Sequence, residues 1–183
     1  MKKEEILSLV GVDDIRLLPE AMMLVVVSNS KERDEIYREL LALNNYDVSY
    51  DWFQSLYEGE MSERKEKKQD YTPNSLGQIA SLLSGLADGS TYEPTAGNGS
   101  MIIADWWRKA SSHIPFDFYP HKNPIECWEL SDRSIPFLLL NLSIRGIVGI
   151  VHHGDVLEQR EKSRYRLVNE KDDALVFSNI IVE

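Results

Sequence analysis

Apolar residues recur at helical spacing through the first third of the chain. Ile6, Leu7, Leu9 and Val10 form one cluster, and Ile36, Leu40, Leu41 and Leu43 follow a charged opening at residues 30–35, SKERDE. Steps of three and four put such residues on one side of a helix, so the pattern predicts a helical N-terminal subdomain over residues 1–69. Within it, residues 21–27 (AMMLVVV) are a short apolar run that fits a buried strand or a buried helix, and a helix is expected. Residues 62–70 (SERKEKKQD) are dense in charge. Tyr71-Thr72-Pro73 stops any helix there, because the residue before a proline avoids the helical region. A domain boundary near residue 70 follows.

Beyond it, helical and strand patterns alternate, the mark of an α/β layer fold. Residues 76–86 read as a helix, 90–93 as a short strand, 101–110 as a helix and 125–130 as a second strand. Residues 134–142 read as a helix closed near Gly146, 147–152 as a third strand and 174–177 as a fourth. Between the first strand and its helix lies Pro94-Thr95-Ala96-Gly97-Asn98-Gly99-Ser100. A glycine turn that opens a helix lets backbone N–H groups approach a ligand, since glycine has no Cβ in the way. Position 102 is Ile, where the dinucleotide fingerprint needs a third glycine or alanine, and the absence of Gly-Lys-Ser/Thr excludes a Walker A loop. Glu129, at the end of the second strand, is placed to accept both hydrogen bonds of a ribose diol. Asp155, after the third, is placed to accept one from the exocyclic amine of an adenine. All three features fall at the carboxyl ends of adjacent strands, where open α/β sheets bind ligands, and a nucleoside-bearing ligand is the economical inference.

Charge narrows the partners. Thirty Asp and Glu against twenty Lys and Arg give a formal charge of −10 over 183 residues, which disfavours gripping nucleic acid by counterion release. DNA contact would need a local patch or a basic partner. The single cysteine, Cys127, excludes an internal disulfide framework and a multi-cysteine zinc site, and a reduced compartment, the cytoplasm, is expected. The opening MKKEEILSLVG has no small-residue cleavage site, so no signal peptide is expected. The longest apolar stretches, residues 21–27 and 135–140, fall short of the roughly 20 residues of a membrane span, and none is expected. Cys127 near His152 and His153 reads as an inert buried thiol, and the histidine pair lacks a third ligand at metal spacing, so no metal site is expected. Arg64, Lys65, Lys67 and Lys68, interleaved with Glu63 and Glu66, read as a solvated helix face. Trp106, Trp107, Phe116, Phe118 and Tyr119 read as core packing or a loop over the ligand.

On these residues the chain resembles the adenine-N6 DNA methyltransferases over about residues 50–179. It is most similar to the methylation subunits of type I restriction-modification systems and related phage or mobile-element methylases. Gln69-Asp70-Tyr71-Thr72-Pro73 resembles the segment that helps enclose the methionine part of S-adenosylmethionine. Glu93-Pro94-Thr95-Ala96-Gly97-Asn98-Gly99-Ser100 resembles the D/E-P-x-x-G-x-G cofactor loop. Trp128-Glu129, with residues 141–147 (NLSIRGI), resembles the ribose-binding acid and its downstream helix end, and His153-Gly154-Asp155-Val156-Leu157 resembles the motif whose aspartate meets the cofactor adenine. The resemblance implies a partial Rossmann-like class I methyltransferase sheet over residues 70–183. It implies S-adenosyl-L-methionine as cofactor, held by Tyr71, Thr72, Pro73, Glu93, Pro94, Ala96, Gly97, Gly99, Glu129, Asp155 and Val156.

The family's chemistry sits in N/D/S-P-P-Y/F after the fourth strand, where the Asn and a proline carbonyl hold the target amine and the ring stacks on the flipped base. The matching stretch here is Phe177-Ser178-Asn179-Ile180-Ile181-Val182-Glu183. Asn179 is the expected catalytic hydrogen-bond acceptor, but both prolines and the ring are replaced, and a base-stacking contact is worth roughly 1–3 kcal/mol. The full family sheet has seven strands, so the fourth is expected to be a bare edge. A homodimer, a partner subunit completing the sheet, or an N-terminal element folded across it would cover that edge. Two functional expectations result. One is an S-adenosylmethionine-dependent adenine-N6 DNA methyltransferase that needs a partner to act. The other is a non-catalytic cofactor-binding or protein-interaction module that regulates or counters a restriction-modification system.

Overall fold

The computed structural model describes residues 3–54, 74–83, 88–114 and 117–183. Three helices open the chain. In α1 (Lys3–Val10), Ile6 and Leu7 are buried. The ambiguous run at residues 21–27 is helical, within α2 (Leu18–Val27). Pro19 occupies the first turn, where an N–H has no helical partner to lose, and Leu18, Met22 and Val26 recur every fourth residue on the buried side. Helix α3 (Lys31–Leu43) is capped by Ser30, whose hydroxyl accepts from the Arg33 amide.

The remaining elements alternate: α4 (Asn74–Leu83), β1 (Thr91–Glu93), α5 (Ser100–Ser111), β2 (Ile125–Glu129), α6 (Ile135–Ser143), β3 (Gly149–Asp155), β4 (Arg160–Val168) and β5 (Asn179–Val182). The α/β expectation holds, as one open mixed sheet in the order β1-β2-β3-β4-β5. Strands β1 to β3 are parallel, while β4 and β5 are antiparallel to their neighbours. Helix α6 is buried along its whole length. Gly149 lets β2 and β3 meet: its φ is +146°, and a Cβ there would lie 2.0 Å from the Ile125 carbonyl oxygen.

Three strand expectations are corrected. The third strand starts at Gly149 rather than at residue 147, because the Ile147 amide still donates to the Leu142 carbonyl and closes α6 over Gly146 at φ +67°. Strand β4 is new. Residues 174–177 form turns instead of a strand, since the Asn169 side-chain amide donates to the Asp173 and Val176 carbonyls (2.8 and 3.0 Å) and takes acceptors a ladder would use. The last strand is β5, which pairs Asn179 with Val168 on β4. The sheet therefore grows outward past β3, and β1 keeps β2 as its one strand neighbour among the described residues.

One core runs through both parts of the chain: Ile6, Met22, Tyr37 and Leu40 from the helices pack in the same cluster as Cys127, Phe137, Val151 and Leu167. The boundary placed near residue 70, the basic cluster at residues 64–68 and Phe116 lie outside the described residues. The edge strand is covered by the N-terminal part, one of the three covers expected. Between α2 and α3, the Asn29 amide nitrogen donates to the Ile180 carbonyl (2.7 Å) and its oxygen accepts from the Ile180 N–H (2.8 Å), copying one rung of a ladder. The buried Arg33 guanidinium steadies this contact by donating to Asn29 Oδ1 and the Ser178 carbonyl. No described helix is long and apolar enough to cross a membrane.

Asn29→Ala leaves the Ile180 amide and carbonyl without partners. The unfolding free energy in urea is expected to fall by about 1–3 kcal/mol, with Asn29→Asp, which keeps the acceptor only, in between.

Candidate nucleoside site

The site is built at the carboxyl ends of the three parallel strands. After β1 the chain turns at Pro94-Thr95, with the Thr95 amide donating to Glu93 Oε1 (3.2 Å). The Ala96 amide then donates to the Trp128 carbonyl (2.8 Å), which fastens the turn to β2. Gly97 and Gly99 take positive φ values of +56° and +92°. At Gly99 the need for glycine is also internal, since a Cβ would lie 2.9 Å from Leu138 Cδ1 on α6. Gly99 caps α5, and the Ile103 amide donates to its carbonyl (2.8 Å).

Glu129 joins the turn to β2. One carboxylate oxygen accepts from the Gly97 amide and the other from the Ser131 amide, both at 2.7 Å. A carboxylate offers about four acceptor positions, and the Gly97, Ser131 and Leu130 amides take up to three of them. Burial pushes the Glu129 carboxyl above its ordinary range, against the lowering effect of these amides. Asp155 lies on the adjacent strand, two residues beyond His153, which is the register partner of Glu129. Its Oδ1 accepts from the Leu157 and Glu158 amides (2.9 and 3.2 Å) and so starts the turn into β4. No described residue donates to its Oδ2. Val156, half-buried, follows it.

The structure thus brings Glu93, Pro94, Ala96, Gly97, Gly99, Glu129, Asp155 and Val156 to one end of the sheet. Tyr71, Thr72 and Pro73 lie outside the described residues. Asn179 is elsewhere. It opens β5 opposite Val168, beside the start of β3, and its side-chain oxygen accepts from Arg33 Nη2 (3.2 Å). Three strands and the length of β3 separate it from the glycine turn. Cys127 is buried in β2, and burial pushes its thiol well above the ordinary range, which leaves it inert. No metal-binding group of three or more acidic, His or Cys residues occurs among the described residues.

Two parts of the surroundings were not assigned a role from the sequence. A buried polar network anchors the turn. Asn141 Nδ2 donates to the Asn98 carbonyl (2.8 Å) and to Asp51 Oδ1 (2.9 Å), while its Oδ1 accepts from the buried Arg145 (3.0 Å). Arg145 also donates to the Val48 and Tyr50 carbonyls, and burial lowers its pKa to about 10. The second part lies beside Glu129: His153 Nε2 is 2.9 Å from Asp132 Oδ1, which also receives Lys162 at 2.7 Å. Burial, then the Lys162 charge, lowers the His153 pKa, against the raising effect of Asp132. Between α4, β1 and α5 lies a cavity of about 160 Å³ reaching Glu93, smaller than the roughly 300 Å³ at which ligand pockets begin.

No family model matches the chain, and no curated protein is significantly similar to it.

Because the folded protein holds the Glu129 proton more tightly than the unfolded chain, the resulting stability is fully present below pH 4.5, the ordinary value. It is lost as the pH rises through the raised folded value. The unfolding free energy of the wild type minus that of Glu129→Gln is therefore expected to fall with rising pH across this window in urea titrations. A difference independent of pH would contradict the assignment.

Proposed function

We propose that the chain binds S-adenosylmethionine at the carboxyl ends of β1 to β3, as a cofactor-binding module of the adenine-N6 DNA methyltransferase kind. The observation that carries this reading is the Glu129 carboxylate bonded to the Gly97 amide, with Asp155 one strand away. Glu129 takes the ribose diol, Asp155 Oδ2 takes the adenine amine, and the turn at Gly97 admits the ligand to the backbone. The bound cofactor supplies a methyl group activated by its sulfonium. The chain's own residues bind and orient it.

Methyl transfer through Asn179 has no support from its position, because the side chain is held by Arg33 at the other end of the sheet. The non-catalytic alternative is accordingly favoured for the chain alone: a cofactor-binding module that acts through protein contacts on a restriction-modification system. A second reading rests on β1, whose outer edge has no strand neighbour among the described residues. A partner subunit adding strands there would complete an enzyme and bring its own target-binding residues.

Calorimetric titration with S-adenosylmethionine tests the proposal. Wild-type protein is expected to bind. Glu129→Ala and Asp155→Ala each remove a charge-assisted bond worth about 1.5–3 kcal/mol and are expected to weaken binding roughly tenfold to a hundredfold. Asn179→Ala is expected to bind as wild type does. No heat from folded wild-type protein would overturn the reading.

A further inference from the structure

Side chains alternate across a sheet, so the two faces can be read separately. One face carries Ile125, Cys127, Val151, Tyr165, Leu167 and Ile180, all in the core, and it is the face against which α5 and α6 pack. The other face carries Tyr92, Glu126, Trp128, Arg164 and Arg166, with His152 among them buried beneath Trp128 and Glu161. Tyr92 is 57% exposed, and the side chains of Glu126, Arg164 and Arg166 are 55%, 44% and 48% exposed. Antiparallel strands tolerate one wet face, but parallel strands are found almost only with both faces covered. Here β1 to β3 are parallel, and among the described residues no helix or strand packs over this side.

The residue types on the bare face are those of interface centres, Trp, Tyr and Arg, with Trp128 and His152 stacked at 4.4 Å and an interplanar angle of 11°. The face also carries both signs of charge in ordered rows, although the chain as a whole is at −10. Glu126, Ile150 and Arg166 are register partners across β2, β3 and β4, and so are Trp128, His152 and Arg164. A two-fold axis running along β3 between two copies exchanges β2 with β4 and keeps the rows. It sets Glu126 of each copy over Arg166 of the other, Trp128 over Arg164, and Ile150 on its own equivalent. Glu126 and Arg166 keep capacity for this: Glu126 Oε1 is 3.5 Å from His152 Nε2, and among the described residues Arg166 uses only Nε, on Glu183.

We propose that this bare face is the contact surface of a two-fold homodimer, packed sheet on sheet with Glu126 paired to Arg166 of the second copy. The packing closes on itself, so it gives a dimer and not a filament. It puts a cover on the parallel strands at the roughly 10 Å spacing of stacked sheets, which Glu and Arg side chains span.

Sedimentation equilibrium of the full chain tests this, with charge reversals at two exposed positions that leave the core intact. Wild-type protein is expected at twice its 21.0 kDa mass. Glu126→Arg and Arg166→Glu each set like charges against each other twice and are expected to weaken the dimer roughly tenfold or more, with unchanged circular dichroism. Mixing the two variants restores opposite charges in both pairs and is expected to restore the dimer. Three results would overturn the proposal: a wild-type monomer at every concentration reached, a dimer indifferent to both reversals, or a mixture that stays monomeric.

Discussion

Asn141 is the side chain on which the arrangement turns. It is fully buried, and its amide is used in both senses: it donates to Asp51 and to the Asn98 carbonyl of the glycine turn, and it accepts from Arg145. Asp51 belongs to the segment after α3, Asn98 to the turn after β1, and Arg145 to the end of α6. A buried polar group left without its partner costs more than the bond gains, so these three segments hold their places together or not at all. Arg145 extends the constraint by donating to the Val48 and Tyr50 carbonyls, with its guanidinium over the Trp52 ring. Position and rigidity of the glycine turn follow from this network, and the reach of Glu129 to the Gly97 amide follows from the turn.

The same chain handles its sheet margins in different ways. At β5 the Asn29 amide stands in for a strand, with Arg33 behind it. Among the described residues, nothing pairs with the outer edge of β1, and no helix or strand packs over one face of the parallel strands. The closed margin lies against the helical part, and the open ones lie away from it. On the readings proposed above, ligand contact at the strand ends and protein contact on the open face are separable on one small sheet.

Much of this was legible in the sequence, for physical reasons. Helices with a buried side repeat their apolar residues at steps of three and four, as Leu18, Met22 and Val26 do, and a glycine turn between a strand and a helix announces itself. Strand β4 was not legible because one of its faces is wet. Arg160, Glu161, Lys162, Arg164 and Arg166 mask the alternation that buries Tyr165 and Leu167. The apolar run at residues 174–177 misled in the opposite direction, since what decides its conformation is the Asn169 amide. The place of Asn179 was beyond local reading, because it depends on which side of the sheet the chain takes after β3. Asn141 and Arg145 stand four apart in the quoted segment 141–147, but the contacts of Asn141 with Asp51 and Asn98 reach 90 and 43 residues along the chain and leave no spacing to find.

On the proposed reading, one end of the sheet, and not the end that holds Asn179, receives a nucleoside cofactor. Backbone amide NMR of the full chain during titration with S-adenosylmethionine tests it most directly. The account predicts saturable shifts at Gly97, Ser131, Val156 and Leu157, with the Asn179 and Ile180 amides unmoved. Shifts centred on Asn179, or none at the glycine turn in a folded protein at saturating cofactor, would contradict it.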